Sequence, residues 1–269
     1  MQALFGDHPY GWDPYGSEQS LENLSGEAVR DLWSQTVSPE GLVIVASGAV
    51  DVDEWTEQLQ ERLSGWKKAA KAPPTPALAL PKQEQRIFEK NKKEQSHIVL
   101  GYPGLKITDE RKYPLQVLQS VLAGQGGRLF VELRDKASLA YSVAPLRMDG
   151  LDGGYFGAYI GCSPEKSKKA IEMLKTEFKR LQDSLISDEE LARAQRYLIG
   201  RHDIELQRNS NITSSILFDQ IYGIDYRETY KFADYIQSVS KEDVKRVAQE
   251  LFRQPSVISV VGSEQPWES

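Results

Sequence analysis

Apolar residues recur along this chain with helical spacing in some stretches and as short continuous runs in others. Behind Ser25, a residue suited to cap a helix, Val29, Leu32 and Trp33 fall at i, i+3, i+4. Pro39 and Gly41 end that pattern. Leu42 to Ala46 (LVIVA) is then an apolar run of strand length, closed by Gly48. Asp51, with Glu54 three residues on as in a capping box, opens a second helix striped by Trp55, Leu59 and Leu63. The pattern predicts that these helix residues and the run at 42–46 are core.

Further along, strands are predicted at Gln85 to Glu89 and His97 to Tyr102, and a helix at Tyr113 to Leu122 with Leu115, Leu118 and Leu122 on one face. Leu129 to Lys136 is a short helical run with Leu129 and Leu133 at i, i+4. Leu139 to Val143 reads as a strand, Gly153 and Gly154 turn the chain, and Tyr155 to Gly161 is its hairpin partner. Ser163-Pro164 opens a helix faced by Ile171, Leu174, Phe178 and Leu181. Ser187 and Glu190 form a capping box that starts a long helix to about Arg208, lined by Leu191, Ala194, Leu198 and Ile204. Helices over Ile212 to Tyr222 and Tyr226 to Gln237 follow. A last helix is capped by Ser240 and buries Val244, Val247 and Leu251, and Ser256 to Val261 is a closing strand.

Between these two series lies a spacer over 67–82, rich in proline and lysine, whose prolines favour extended backbone. The 269 residues are 40% hydrophobic and 27% charged, as in soluble globular proteins, and suffice for one large or two medium domains. A net charge of −6 without a basic block gives no footprint for nucleic acid. No apolar run reaches the roughly 20 residues of a membrane helix, and the first residues lack the pattern of a signal peptide. The compartment, cytoplasmic or periplasmic, is not specified. The single cysteine, Cys162, excludes an internal disulfide and reads as a buried small residue. His8, His97 and His202 are far apart in sequence and no HxxEH motif is present, so no metal ligand and no catalytic residue is expected in this chain.

The most informative stretch is 124–143, GQGGRLFVELRDKASLAYSV. By spacing alone, Arg134 in a helix's last turn suits the negative end of the dipole, and Tyr141 in a strand packs its ring and bonds its hydroxyl locally. The order of a glycine-rich start, RLF, LR and LAYSV nevertheless resembles the inverted-zincin metallopeptidases, the family of pitrilysin, insulin-degrading enzyme and mitochondrial processing peptidase. HPYG at 8–11, followed by Gly16, is similar to them too. Gln125 interrupts the glycines, and Ser138 stands where the family usually has glycine. The resemblance implies an α+β fold of two units, each a mixed or antiparallel sheet covered by helices on one side. It also implies that Arg134 and Tyr141 contact a peptide substrate, in a half without zinc, while zinc belongs to the complete enzyme.

An internal duplication fits this. LSGEAV at 24–29 with LVIVASG at 42–48 is matched by VSKEDV at 239–244 with VISVVG at 257–262, and Ser240 lies 215 residues after Ser25. Residues 1–66 are therefore expected to be the tail of a first unit, 67–82 a linker, and 83–269 a complete second unit. The expected role is the substrate-binding, non-zinc half of a zinc endopeptidase, inactive alone and partnered by a zinc-bearing N-terminal half. A separate partner subunit and a structural core subunit are the alternatives. A partial first unit would expose core surface, which predicts self-association.

Overall fold

The computed structural model describes residues 1–66, 75–92 and 94–267. Five strands form one mixed sheet in the order β1-β5-β2-β4-β3: β1 Gln85–Lys90, β2 Ser96–Gly104, β3 Ala140–Met148, β4 Gly154–Cys162 and β5 Val257–Gly262. Only the β1–β5 pair is parallel; β5–β2, β2–β4 and β4–β3 are antiparallel. Strand alternation assigns the two faces. Ile98, Leu100 and Tyr102 of β2, Phe156, Ala158 and Ile160 of β4, and Ile258 and Val260 of β5 are buried on one side. His97, Val99 and Gly101 point to the other.

The buried side is covered by helices, as expected for this α+β class. They are α5 Lys112–Leu122, α6 Ser167–Asp183, α7 Asp188–Glu205, α9 Phe232–Ser238 and α10 Lys241–Phe252. Leu115, Leu118 and Leu122 of α5 and Leu174, Phe178 and Leu181 of α6 are all buried there. Phe178 stacks on Phe252 with centroids 4.7 Å apart, and Tyr102 meets the same ring at 5.1 Å, which ties α6 and α10 to β2. The predicted caps form: Ser187 with Glu190 and Ser240 with Asp243 are both reciprocal capping boxes.

On the opposite face the four-residue α1, Gln2–Phe5, packs against the sheet. Its Leu4 and Phe5 bury against Val257, with Met148 and Tyr155 packed alongside. The Pro9–Gly11 turn then places the Tyr10 hydroxyl to accept from Leu151 N at 2.8 Å, so the first residues are fastened to the β3–β4 turn.

Several expectations are corrected. The run at 42–46 forms no strand, and Leu42 and Ile44 are exposed. A strand needs a lateral partner, and no described strand lies beside it; Leu42 N donates only to the nearby Pro39 O at 3.2 Å, and just past the run Ser47 Oγ bonds Asn209 O at 3.5 Å. The helix capped by Ser25 exists (α3, Gly26–Thr36), as does the one capped by Asp51 (α4, Val52–Leu63). Their faces are not core: Val29, Leu32 and Trp33 are exposed, Trp33 by 64%, and Trp55, Leu59 and Leu63 are half-buried. Periodicity fixed which residues share a face but not whether anything lies against it. The long helix α7 stops at Glu205 with Ile204 exposed, and the helix predicted from Tyr226 is a 3₁₀ segment to Lys231 followed by α9. Of the spacer predicted at 67–82, residues 67–74 lie outside the described residues.

Candidate functional site

Gly124 to Ala140 turns the chain from α5 into the edge strand β3. Gly124 has φ +75°, a left-handed conformation suited to glycine. At Gly127 a Cβ would lie 2.2 Å from the Ala123 carbonyl oxygen, so only glycine fits the close approach. Leu129 and Leu133 are wholly buried and anchor the helical run. That run is not α-helical: Phe130–Lys136 is a π-helix, with Ala137 N donating to Glu132 O five residues back. Such wide turns are rare and concentrate at functional sites.

Arg134 emerges from this π-helix exposed. Its guanidinium lies over the Phe130 ring, 4.8 Å from the centroid, and makes no ion pair among the described residues. Of the two local carboxylates able to hold it, Glu132 is paired with Lys136, and Asp135 makes no ion pair with it. Ser138 follows with φ +50°, the only described non-glycine residue with positive φ. Glycine reaches this left-handed region without the cost that a Cβ brings. Ser138→Gly should raise stability by about 1 kcal/mol, since a side chain costs that much in the left-handed region. A denaturant midpoint shifted upward at unchanged slope is the expected reading.

Tyr141 is the extra residue of a β-bulge. Ala140 pairs with Cys162 and Ser142 with Gly161, which leaves Tyr141 without a partner in the ladder. Bulges re-aim side chains near active sites. Tyr141 is 59% exposed, and its hydroxyl has no hydrogen bond among the described residues. The π-helix packs against β3, so the two predicted residues stand on adjoining elements at one sheet edge.

A third group was not recognised in the sequence. Arg128, at the start of the helical run, forms a bidentate pair with Glu190 of α7, Nε to Oε1 at 2.6 Å and Nη2 to Oε2 at 2.7 Å. Glu190 was legible only as a cap; a partner 62 residues away leaves no local pattern. Arg128 holds the Glu190 carboxyl far below its ordinary range, at about 2, with help from the Ser187 N–H.

The histidines do not build a zinc site. His8 is buried, accepts from Tyr10 N through Nδ1, and sets Nε2 3.4 Å from Asp152. His97 Nδ1 bonds the Tyr159 hydroxyl at 2.9 Å, and His202 Nε2 bonds the Thr229 carbonyl at 2.7 Å. Among the described residues no group of three or more histidine, cysteine or acidic side chains is arranged to hold a metal. Cys162 is buried, which pushes its thiol pKa up and keeps it protonated. No described helix is long and apolar enough to cross a membrane.

The sequence profile of the family described as "Peptidase M16 inactive domain" matches residues 23–198. The chain belongs to that family. An uncharacterized zinc protease of Streptomyces coelicolor is 28% identical over 269 residues, covering 97% of this chain and 58% of that protein. The uncharacterized zinc protease YmxG of Bacillus subtilis is 24% identical over 264 residues, 97% of this chain and 63% of that protein. The chain thus spans less than two thirds of the length of these relatives. A peptidase M16 inactive domain from Pseudomonas fluorescens has the same fold, with a TM-score of 0.89 at 19% identity over 100% of this chain and 65% of that one. The π-helix, the bulge and the Arg128–Glu190 pair all lie within the residues matched to the inactive domain.

Proposed function

We propose that this M16 inactive domain is the substrate-contacting, zinc-free portion of a zinc endopeptidase. Arg134 and Tyr141 would hold the main chain of the peptide. The carrying observation is the placement of Tyr141 on a bulge with its hydroxyl unbonded among the described residues, on the strand packed against the π-helix that carries Arg134, which has no carboxylate partner among the described residues. A guanidinium and a phenol can both donate to a peptide carbonyl and favour the charge that grows on it during hydrolysis. Zinc and the water it activates would come from a zinc-bearing half, either upstream on the same chain or on a separate subunit. The greater length of the relatives called zinc proteases supports the first arrangement.

The same reading takes residues 1–66 as the tail of a first unit, 67–82 as a linker and 83–269 as the second unit. The exposed Val29, Leu32, Trp33, Leu42 and Ile44 support it, because a helix and an apolar run without a packing partner form the surface that the rest of such a unit would cover. The test is turnover of a quenched peptide by the assembled enzyme carrying Arg134→Ala or Tyr141→Phe, with zinc content measured in parallel. Lower turnover at full zinc occupancy supports the proposal. Unchanged turnover in both variants refutes it.

A further inference from the structure

The sheet face that carries α1, opposite the main helical layer, holds a second polar cluster next to the bulge. His97 of β2, Gly161 of β4 and Ser142 of β3 lie in register across three strands. Tyr159 is two residues before Gly161 and so on the same face. Its hydroxyl reaches over Gly161 to meet His97 Nδ1 at 2.9 Å. This works because residue 161 has no side chain. A Cβ there would lie 3.0 Å from the Tyr159 hydroxyl, 3.1 Å from Ser142 Oγ and 3.7 Å from Gln95 Oε1. A phenol, an alcohol and an amide therefore close on one point, with the imidazole one hydrogen bond behind. Among the described residues the Ser142 hydroxyl and the Gln95 amide have no hydrogen-bond partner, and Ser142 is exposed. None of the three closing groups carries a formal charge.

We infer that this cluster is a specificity subsite for a polar, uncharged side chain of the bound peptide, such as asparagine, glutamine, serine or threonine. The inference rests on the proposed role of Arg134 and Tyr141, because Ser142 directly follows Tyr141 and their Cα atoms are about 3.8 Å apart. A peptide whose backbone is held at Tyr141 sets a neighbouring side chain over Gly161. A side chain that donates and accepts replaces the water on these groups. An aliphatic one removes the water and leaves them unpaired, which a site built for hydrogen bonding penalises. The polarity is local to the bulge. Farther along the same face a cavity of about 560 Å³ is lined largely by apolar residues, including Ile87, Val99, Leu146 and Val257.

The experiment titrates the isotopically labelled 269-residue chain by NMR with two unstructured alanine/glycine/lysine peptides. They differ only in one central residue, asparagine or its near-isostere leucine. The asparagine peptide is expected to shift the Tyr141, Ser142, Gly161 and His97 resonances together and to bind about tenfold more tightly than its twin. Tyr159→Phe, which keeps the ring, and Gly161→Ala, which displaces the hydroxyl, should each abolish that preference while shifts at Tyr141 persist. Equal binding of the twins, with shifts at Arg134 and Tyr141, would overturn the subsite and leave the proposed function standing. Shifts at neither place would overturn both. Shifts confined to Gly161 and His97 would also overturn the subsite as stated, since the peptide would not be held at Tyr141.

Discussion

Arg128→Ala should lower the unfolding free energy by about 3 kcal/mol, toward the lower end of what breaking a buried pair costs. The two side chains are only 16% and 17% exposed, so removing the guanidinium leaves a carboxylate with little water to replace it. The loss is moderated because Glu190 still accepts from Ser187 N at 2.9 Å. The pair also predicts an acid response. Glu190 titrates at about 2 in the folded chain against an ordinary 4.5, chiefly because of Arg128. A depressed acid stabilises the fold fully above its unfolded pKa, and that contribution disappears as pH falls from 4.5 toward 2. Urea unfolding of wild type and Arg128→Ala at pH 7, 4 and 3 should show a gap that narrows with acid. A constant gap would mean that Arg128 acts through packing alone.

In the assembled enzyme, Arg134→Ala should cut kcat/KM by about 10²-fold if the guanidinium donates to the developing charge on the carbonyl, and by less if it only positions the peptide. Tyr141→Phe removes a single hydroxyl from a surface position where the ring keeps its place, so its effect should be kinetic with unchanged stability. The division between kcat and KM separates the roles. A donor used only in the transition state lowers kcat, whereas a uniform binding contact raises KM. Neither change should release zinc, since among the described residues neither lies in a cluster able to hold a metal. Loss of stability in Arg134→Ala comparable to that of Arg128→Ala would instead mark Arg134 as a structural cation seated on Phe130.

Local physics made most of this chain legible as sequence. Capping residues act on the next three or four amides, so Ser25, Asp51, Ser187 and Ser240 each marked a real helix start. Apolar spacing named the buried face of α5, α6 and α10 because each face is completed by a single neighbouring layer. The order of residues from Gly124 to Val143 carried the family resemblance and named Arg134 and Tyr141. Tertiary structure alone decided the rest. An apolar run becomes a strand only with a lateral partner, which is why Val257–Gly262 is one and 42–46 is not. The π-helix and the bulge each add one residue to a regular repeat, and no composition marks such an insertion. They set the backbone from which Arg134 and Tyr141 reach solvent, neither with a hydrogen-bond or ion-pair partner among the described residues. Arg128 with Glu190, and Tyr159 with His97 over Gly161, join residues 62 apart in the chain; their geometry exists only once the helices and sheet have closed on each other.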